Sequence, residues 1–459
     1  MPRPVRVRMA PSPTGFVHLG NVRTALFNLL FARSQGGVFV LRIDDTDLER
    51  HQPDAEQAIY DGFRWIGIEW DEGPDRGGPH APYRQSERLD LYKEHAARLL
   101  KAGTAYRCFC TPEELAAERR QADADRRPYV YSRRCLKDPP RGRPEFTVRF
   151  QVPGRTVTFR DLVLGDVSFE SSLIGDFIII KSDGYPTYNF ASPVDDALME
   201  ISHVIRAQEH LSNTPGQVML LQALGYPLPE GFAHLPMVLG QDRAKLSKRK
   251  HPEMRLMLFK EQGYLPEALL NYLALLGWNP GTEQEIFTFE ELVQAFDLSR
   301  VQKGGAVWDW DKLNWVDGQY IRSLGDEELA RRLEPYLPEM PPATVARAAP
   351  ALKERMVKLA DARGLLEYLW VEPEPPGLEP DAARPVRAAL EGLRQAAWEP
   401  ASVEAALERV REKLGVSRNQ LYKPLRMAVT GRAISPPIQH TLALLPKEEA
   451  LRRLERALG

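Results

Sequence analysis

Cysteine is scarce in this chain. Three thiols in 459 residues are an odd count, and they exclude a disulfide framework as the source of stability. No apolar run reaches 18 residues, so nothing reads as a membrane-spanning helix and no membrane partner is expected. The opening MPRPVRVRMA lacks the apolar centre of a signal peptide, and a cytoplasmic location is expected. Charge of one sign is also missing. A net charge of −2 excludes a surface that grips polyanions everywhere, so any nucleic-acid contact must be a local basic face. What is present is ordinary globular composition, 43% hydrophobic and 27% charged. The length exceeds what one core serves, so two or more domains are expected.

Val5-Arg6-Val7-Arg8-Met9 alternates with the period of a strand. PSPTG at 11–15 breaks it. Val22, Ala25, Leu26, Leu29 and Leu30 then recur at helical spacing, and Gly36-Gly37 closes that helix. Val38-Phe39-Val40-Leu41 with Ile43 is mostly apolar, as a strand buried in a parallel sheet must be. Strand, helix and strand in this order form a βαβ unit, whose ligands sit at strand ends and helix N-termini. His18 and Gly20 fall at that helix start. Unpaired N–H groups there attract phosphate. A histidine can donate to a phosphate oxygen, and a bare glycine lets a flat ring lie on the backbone. The same residues also suit a plain strand-to-helix turn capped by histidine.

Residues 240–250, GQDRAKLSKRK, crowd Lys245, Lys248, Arg249 and Lys250 into a short loop. Alone this reads equally as a solvated basic turn or as cations around a triphosphate. HLGN at 18–21 and KLSKR at 245–249, about 230 residues apart, resemble the HIGH and KMSKS signatures of class I aminoacyl-tRNA synthetases. RMAPSPTGFVHLGNVRTALFN, LRIDDTD, DEGP, YRQSERL, SDGYPTYNFASPVDD, HVIRAQEH, LPMVLG and GGAVWDWDKLNWVDGQYIR follow in the order of bacterial glutamyl-tRNA synthetases. LRMAVTG and LRRLERAL extend the resemblance to the C-terminus.

The resemblance implies ATP-dependent ligation of L-glutamate to the 3′ end of tRNA-Glu through glutamyl-adenylate. ATP would come with Mg²⁺. His18, Lys245 and Lys248 would carry catalysis by holding the phosphates. Gly20, Asn21, Leu246 and Ser247 would complete the ATP site. Arg8, Ser12, Asp44, Tyr188, Ser192 and Arg206 would line the glutamate pocket. Two positions depart from the family pattern. Asn21 replaces the final histidine of HIGH, which an amide can stand in for. Asp44 replaces the usual glutamate of RIEDTD, with the same charge and a reach one methylene shorter. Asp195 and Asp196, adjacent on one segment, read as structural carboxylates rather than as an acid and base pair.

Cys108, Cys110 and Cys135 lie near one another in sequence and suggest Zn²⁺. By resemblance the fourth ligand of this candidate structural site is Tyr131, because the alternative histidine position holds Lys137.

The expected fold is α/β. A Rossmann-type catalytic domain spans 1–84 and 186–250, with an α+β acceptor-binding insert at 85–185. An all-α stem-contact domain follows at 251–322. Two helical anticodon-binding subdomains are expected at 323–375 and 376–459, separated by the proline- and acid-rich VEPEPPGLEPD. Arg119, Arg120, Arg126, Arg127, Arg133, Arg134, Arg141 and Arg143 give the insert a basic bias suited to phosphates. From Glu408 onward 11 Lys/Arg face 5 Glu, which fits contact with RNA. Arg355 lies near the anticodon-inspecting arginine of the family. A monomer is expected. Two alternatives stand beside the main reading: an enzyme that also glutamylates tRNA-Gln, and a non-catalytic tRNA-binding paralogue.

Overall fold

The structure, a computed structural model, describes residues 4–47, 54–140, 142–246, 250–374 and 377–459. The chain divides into two units, Met1–Met257 with Leu270–Asp309 and Leu258–Leu269 with Trp310–Gly459.

In the first unit, strand Arg6–Met9 runs parallel to Val38–Leu41, in register from Arg6 opposite Val38 to Met9 opposite Leu41. Helix Leu19–Ser34 connects them. The alternation in the first strand does not mark a wet face, because all four of its residues are buried. Arg6 donates through both terminal nitrogens to Glu72, at 2.8 and 2.9 Å. The polar face of this strand is thus a layer of ion pairs. Gly37 passes so close to Val5 that a Cβ there would sit 2.4 Å from its carbonyl oxygen. Only glycine allows the chain to turn back into the second strand at that spot.

A four-stranded sheet places Gly165–Glu170, Thr156–Asp161, Gly231–Leu235 and His203–Ala207 side by side. The last two are parallel, with Arg206 opposite His234. Thr156–Asp161 joins them through Asp161 opposite Phe232. Strand Arg6–Met9 lies beside this sheet: Arg6 N–H donates to Ser202 Oγ at 2.8 Å, and Ser202 N–H returns to Arg6 O at 2.9 Å. Strands Ala105–Cys108, Thr147–Phe150 and Phe177–Ile180 form an antiparallel sheet. Phe150, Phe190, Met219, Leu220 and Phe232 fill the core between these elements. The carboxyl ends of Arg6–Met9 and His203–Ala207 meet the N-terminus of helix Leu19–Ser34, where a βαβ unit binds its ligands.

The second unit is helical from Trp310 onward, in line with the all-α character expected of the C-terminal part. Prolines at the first turn start Pro342–Leu352, Pro380–Gln395 and Pro400–Leu414, where a missing N–H costs nothing. Ser417 and Gln420 form a capping box for Arg418–Thr430. Leu393, Val403, Leu407, Leu421, Leu425 and Leu454 make its core. Among the described residues no helix is long and apolar enough to cross a membrane.

Asp317, inside helix Trp310–Ser323, is fully buried. Its Oδ1 accepts from Leu265 N–H at 2.8 Å, while Oδ2 meets no donor. Burial pushes its carboxyl well above the ordinary range. A group raised on folding costs nothing below its unfolded pKa and costs progressively more as pH rises through the folded value. Asp317→Asn keeps the Leu265 acceptor and removes the charge. We expect it to raise Tm at pH 7.5 by a few degrees, about 1 kcal/mol, with the gain vanishing near pH 4. Thermal melts of both proteins across that range check this, and a lower Tm at pH 7.5 refutes it.

Candidate active site

The predicted glutamate residues Arg8, Ser12, Asp44, Tyr188, Ser192 and Arg206 all line one cavity of about 820 Å³, together with Asn21. Arg8 reaches it from the end of the first strand. Its Nε and Nη2 donate to the two oxygens of Asp196, at 3.0 and 3.2 Å. Asp196 also accepts from Arg42 Nη1 at 2.7 Å. Arg42, wholly buried, donates to Asp44 Oδ1 at 2.7 Å and to Ser192 Oγ at 3.2 Å. Asp195 takes Arg88 Nε at 2.7 Å, Gln85 at 2.9 Å and Tyr92 at 2.7 Å. The adjacent aspartates on helix Tyr188–Leu198 are therefore structural acceptors, as their sequence context implies. Arg42, Arg88 and Asp196 were not legible as site residues. The motifs LRIDDTD, YRQSERL and SPVDD contain them but do not reveal that they interlock.

Burial alone would raise Asp196, but Arg8 and Arg42 hold it below the usual carboxylate range. Asp44 behaves oppositely. Burial pushes it up to about 6 against the pull of Arg42.

Arg206 is set apart electrostatically. It is 4% exposed. It donates from Nη1 to Tyr188 Oη at 3.1 Å, from Nη2 to Thr214 Oγ1 at 2.8 Å and from Nε to His234 Nε2 at 3.3 Å. Every one of these partners is neutral, and no carboxylate among the described residues pairs with it directly. Burial pulls its pKa down. Arg8, Arg42 and Arg88 are balanced by Asp44, Asp195 and Asp196, which leaves Arg206 as an uncompensated buried cation facing a cavity. Such a group is costly unless an anion joins it. His210, whose ring lies 5.3 Å from that of Tyr188, is pushed down to about 4 by burial and by Arg206, so it stays neutral there.

At the helix N-terminus His18 is the N-cap, and its Nδ1 accepts from Gly20 N–H at 3.2 Å. The capping reading of this histidine therefore holds. It also fixes the neutral tautomer, leaving Nε2–H as a donor. The first turn carries no acidic side chain that would compete for an anion. A Cβ on Gly20 would touch only His18 Nδ1, at an ordinary 3.5 Å. Packing within the protein does not demand glycine at this position. Lys245 forms an antiparallel bridge with Leu239 and pairs with Glu209, which lines the cavity. Leu246 is buried and donates its N–H to Val238 O at 3.1 Å. Ser247 and Lys248 lie outside the described residues.

Cys108, Cys110 and Cys135 bring their sulfurs within 4.8 Å of one another. Tyr131 Oη is 3.3 Å from both Cys108 Sγ and Cys110 Sγ, and Cys110 and Cys135 are 3.5 Å apart. A tetrahedron with metal–sulfur bonds of about 2.3 Å has sulfurs roughly 3.8 Å apart, so the donor set fits Zn²⁺. Burial opposes ionisation of Cys108, but Tyr131 and Arg149 draw it down to about 7. In the second unit, Arg355 lines a cavity of about 710 Å³ with Asp361, Arg432 and the exposed Ile434.

The profile of the family described as tRNA synthetases class I (E and Q), catalytic domain, matches residues 4–315, and that of an anticodon binding domain matches 328–458. Fold and site are thus those of a class I aminoacyl-tRNA synthetase, which works with ATP and Mg²⁺. The glutamate–tRNA ligase of Acidothermus cellulolyticus is 45% identical, covering 99% of this chain and 95% of its own. That of Moorella thermoacetica is 46% identical over 99% and 98%. A crystal structure of a glutamate tRNA ligase from Elizabethkingia meningosepticum, in complex with its amino acid, superposes with a TM-score of 0.88 at 32% identity over 99% of both chains. The chain belongs to the glutamate–tRNA ligase family. It charges tRNA with glutamate.

If the Asp44 carboxylate meets the substrate's ammonium group, it must be ionised. Its raised pKa puts the loss inside the working range. We expect KM for glutamate to climb as pH falls through about 6, approaching tenfold per unit below that. Asp44→Asn should flatten the profile and raise KM at pH 7.5. Steady-state adenylate formation from pH 5.5 to 8 measures both, and a profile of unchanged shape in the variant refutes the assignment.

Proposed function

We propose that Arg206 receives a carboxylate of glutamate, and that Arg8, Ser12, Asp44, Tyr188 and Ser192 complete the amino-acid pocket. The observation that carries this is the uncompensated buried guanidinium of Arg206 among neutral partners. A planar fork matches a carboxylate with two parallel bonds, which a lysine does not copy. His18 Nε2–H, the open backbone at Gly20, Asn21, Lys245, Leu246, Ser247 and Lys248 hold ATP, with the catalytic burden on His18, Lys245 and Lys248.

The chemistry needs no enzyme nucleophile. The α-carboxylate of glutamate attacks the α-phosphorus of ATP, the bond to the bridging oxygen breaks, and pyrophosphate leaves. The terminal ribose hydroxyl of tRNA then attacks the adenylate carbonyl and AMP leaves. What the chain supplies is position and positive charge where negative charge accumulates. Mg²⁺ neutralises the phosphates when it arrives with ATP.

Residues 1–84 and 186–250 act as the catalytic domain, 85–185 as the acceptor-binding insert, 251–322 as the stem-contact domain, and 323–375 with 376–459 as the anticodon-binding subdomains. The concave site around Arg355 and Arg432 supports anticodon contact in that last part. The protein works as a cytoplasmic monomer and prefers tRNA-Glu.

Aminoacylation with labelled glutamate on tRNA-Glu and tRNA-Gln transcripts tests the reading. We expect charging of tRNA-Glu, a loss of roughly 10²–10³ in rate for Lys248→Ala, and a higher KM for ATP in Gly20→Ala with an unchanged Tm. Charging of both tRNAs identifies the broader specificity. A folded protein that charges neither points to the binding paralogue and overturns the proposal.

We infer that Cys108, Cys110, Tyr131 and Cys135 hold a structural Zn²⁺. The convergence of three sulfurs and a phenol oxygen supports it. Metal analysis of protein purified without chelator should find about one zinc per chain, falling below a tenth in Cys135→Ser. Metal-free protein with three free thiols and an unaltered melt refutes it.

A further inference from the structure

Behind Arg206 lies a chain of buried polar groups that neither catalysis nor the family signatures account for. His234 sits directly opposite Arg206 on the neighbouring parallel strand. Its Nδ1 is 2.6 Å from Asp161 Oδ2. Asp161 accepts there and also takes the backbone N–H groups of Val163, Leu164 and His234, at 2.9, 2.8 and 3.2 Å. With a carboxylate so supplied with donors, burial is outweighed and its pKa falls below the usual range. An ionised Asp161 can only accept, so the ring proton must be on Nδ1, and Nε2 is left as a lone-pair acceptor.

That lone pair is aimed at the substrate arginine. Nε2 lies 2.9 Å from Thr214 Oγ1 and 3.3 Å from Arg206 Nε. Thr214 Oγ1 in turn accepts from Arg206 Nη2 at 2.8 Å. The directions are mutually consistent. Arg206 gives one proton to Thr214 and points a second at His234 Nε2, whose single lone pair is shared between Arg206 Nε and the nearer Thr214 hydroxyl. That hydroxyl also lies 3.4 Å from His210 O. Arg206 Nη1 donates to Tyr188, at the cavity wall. Asp161, Thr214 and His234 are at most 2% exposed, so water cannot replace any of these bonds. Asp, His and Thr are arranged here as in a hydrolytic triad. Thr214 is nevertheless fully buried and covered by Arg206, so no carbonyl reaches it and nucleophilic catalysis is excluded.

We propose that His234, with its tautomer set by Asp161 and with Thr214 as bridge, is the positioning residue that aims Arg206 at the amino-acid carboxylate. This rests on the reading of Arg206 as the carboxylate receptor. The groups facing His234 are Asp161 from Thr156–Asp161, Arg206 from His203–Ala207, Thr214 from Thr214–Leu224, His210 just before it, and Arg8 from the first strand. Three of these five are cationic or can become so. A neutral imidazole is the form that adds no positive charge beside Arg206, and burial lowers the His234 pKa in that sense.

The test uses the full-length enzyme and compares KM for glutamate with KM for ATP. Thr214→Val keeps shape and removes the hydroxyl. His234→Leu removes the acceptor, and His234→Gln restores an amide oxygen near the Nε2 position. We expect Thr214→Val and His234→Leu to raise KM for glutamate ten- to a hundredfold while KM for ATP stays within twofold. Thr214→Ser and His234→Gln should recover most of the loss. Glutamate binding by calorimetry should weaken in parallel, and thermal melts establish that each variant is folded. If Arg206→Gln leaves glutamate binding intact, the reading of Arg206 itself fails. If Arg206→Gln abolishes binding while folded Thr214→Val and His234→Leu bind glutamate as the parent does, the positioning role is wrong. Equal losses in KM for glutamate and ATP would mark a general structural role and also overturn it.

Discussion

The catalytic unit depends on Asp196. Its carboxylate lies between Arg8 and Arg42, and this clamp ties the first strand, the second strand with its continuation, and helix Tyr188–Leu198 into one frame. Both arginines are almost wholly buried, so neither has water to fall back on. Removing one member of such a set typically costs about 3–5 kcal/mol, because the remaining charge stays buried and unpaired. The same layer includes Arg6 with Glu72 and Arg88 with Asp195. Well-packed hydrocarbon in place of buried ion pairs is often equally or more stabilising, so stability alone does not account for this layer. What ions give in addition is direction. Each guanidinium fork fixes the angle at which its neighbour meets the cavity, and the cavity walls are built from those neighbours.

That arrangement explains which parts of the molecule were legible in the sequence. The βαβ unit was, because strand Arg6–Met9, helix Leu19–Ser34 and strand Val38–Leu41 are local and periodic. The helical character of the second unit was expected too, although the proline starts and the capping box that mark its helix ends emerge only from the structure. The role of the first strand's arginines was not. Alternation of arginine with valine looks the same whether the charges face water or a second buried layer. What distinguishes the two is a partner 66 residues away for Arg6, supplied by Glu72, and 188 away for Arg8, supplied by Asp196. Spacing arguments do not reach that far. Tyr188, Ser192 and Arg206 were singled out through resemblance, and the structure places all three on one cavity. Thr214, Asp161 and His234 were missed, because each is an unremarkable residue until its neighbours are known.

Electrostatics likewise corrects the reading of the insert. Eight arginines suggest a face for phosphate. Several are already committed. Arg133 pairs with Asp176, Arg134 and Arg143 share Glu114, and Arg127 meets Asp125. Arg119 lies 5.4 Å from the centroid of Tyr129. Counting cations along a segment overstates its basicity wherever carboxylates from the same segment fold back onto it. The cluster around Cys135 shows the reverse. Sequence spacing suggested three candidate ligands, and the fold brings the three thiols and Tyr131 into a shell of the right size for one cation.

Asp44 and Arg206 now appear as two halves of one design. In the proposed role the pocket receives a molecule with one ammonium group and two carboxylates, using groups that survive burial in its absence. Asp44 is kept from being a bare buried anion by Arg42, which takes both of its oxygens at 2.7 and 3.3 Å. The shorter side chain does not forfeit its charge partner, because Arg42 is two residues away on the same segment and reaches it directly. Arg206 has no such counterion and is surrounded instead by oriented neutral acceptors. A preorganised cation of this kind gains most from the ligand, since the incoming carboxylate displaces no existing ion pair. The pocket thus distributes its cost unevenly. The cationic site stays poised for an anion, and the anionic site is already satisfied from within.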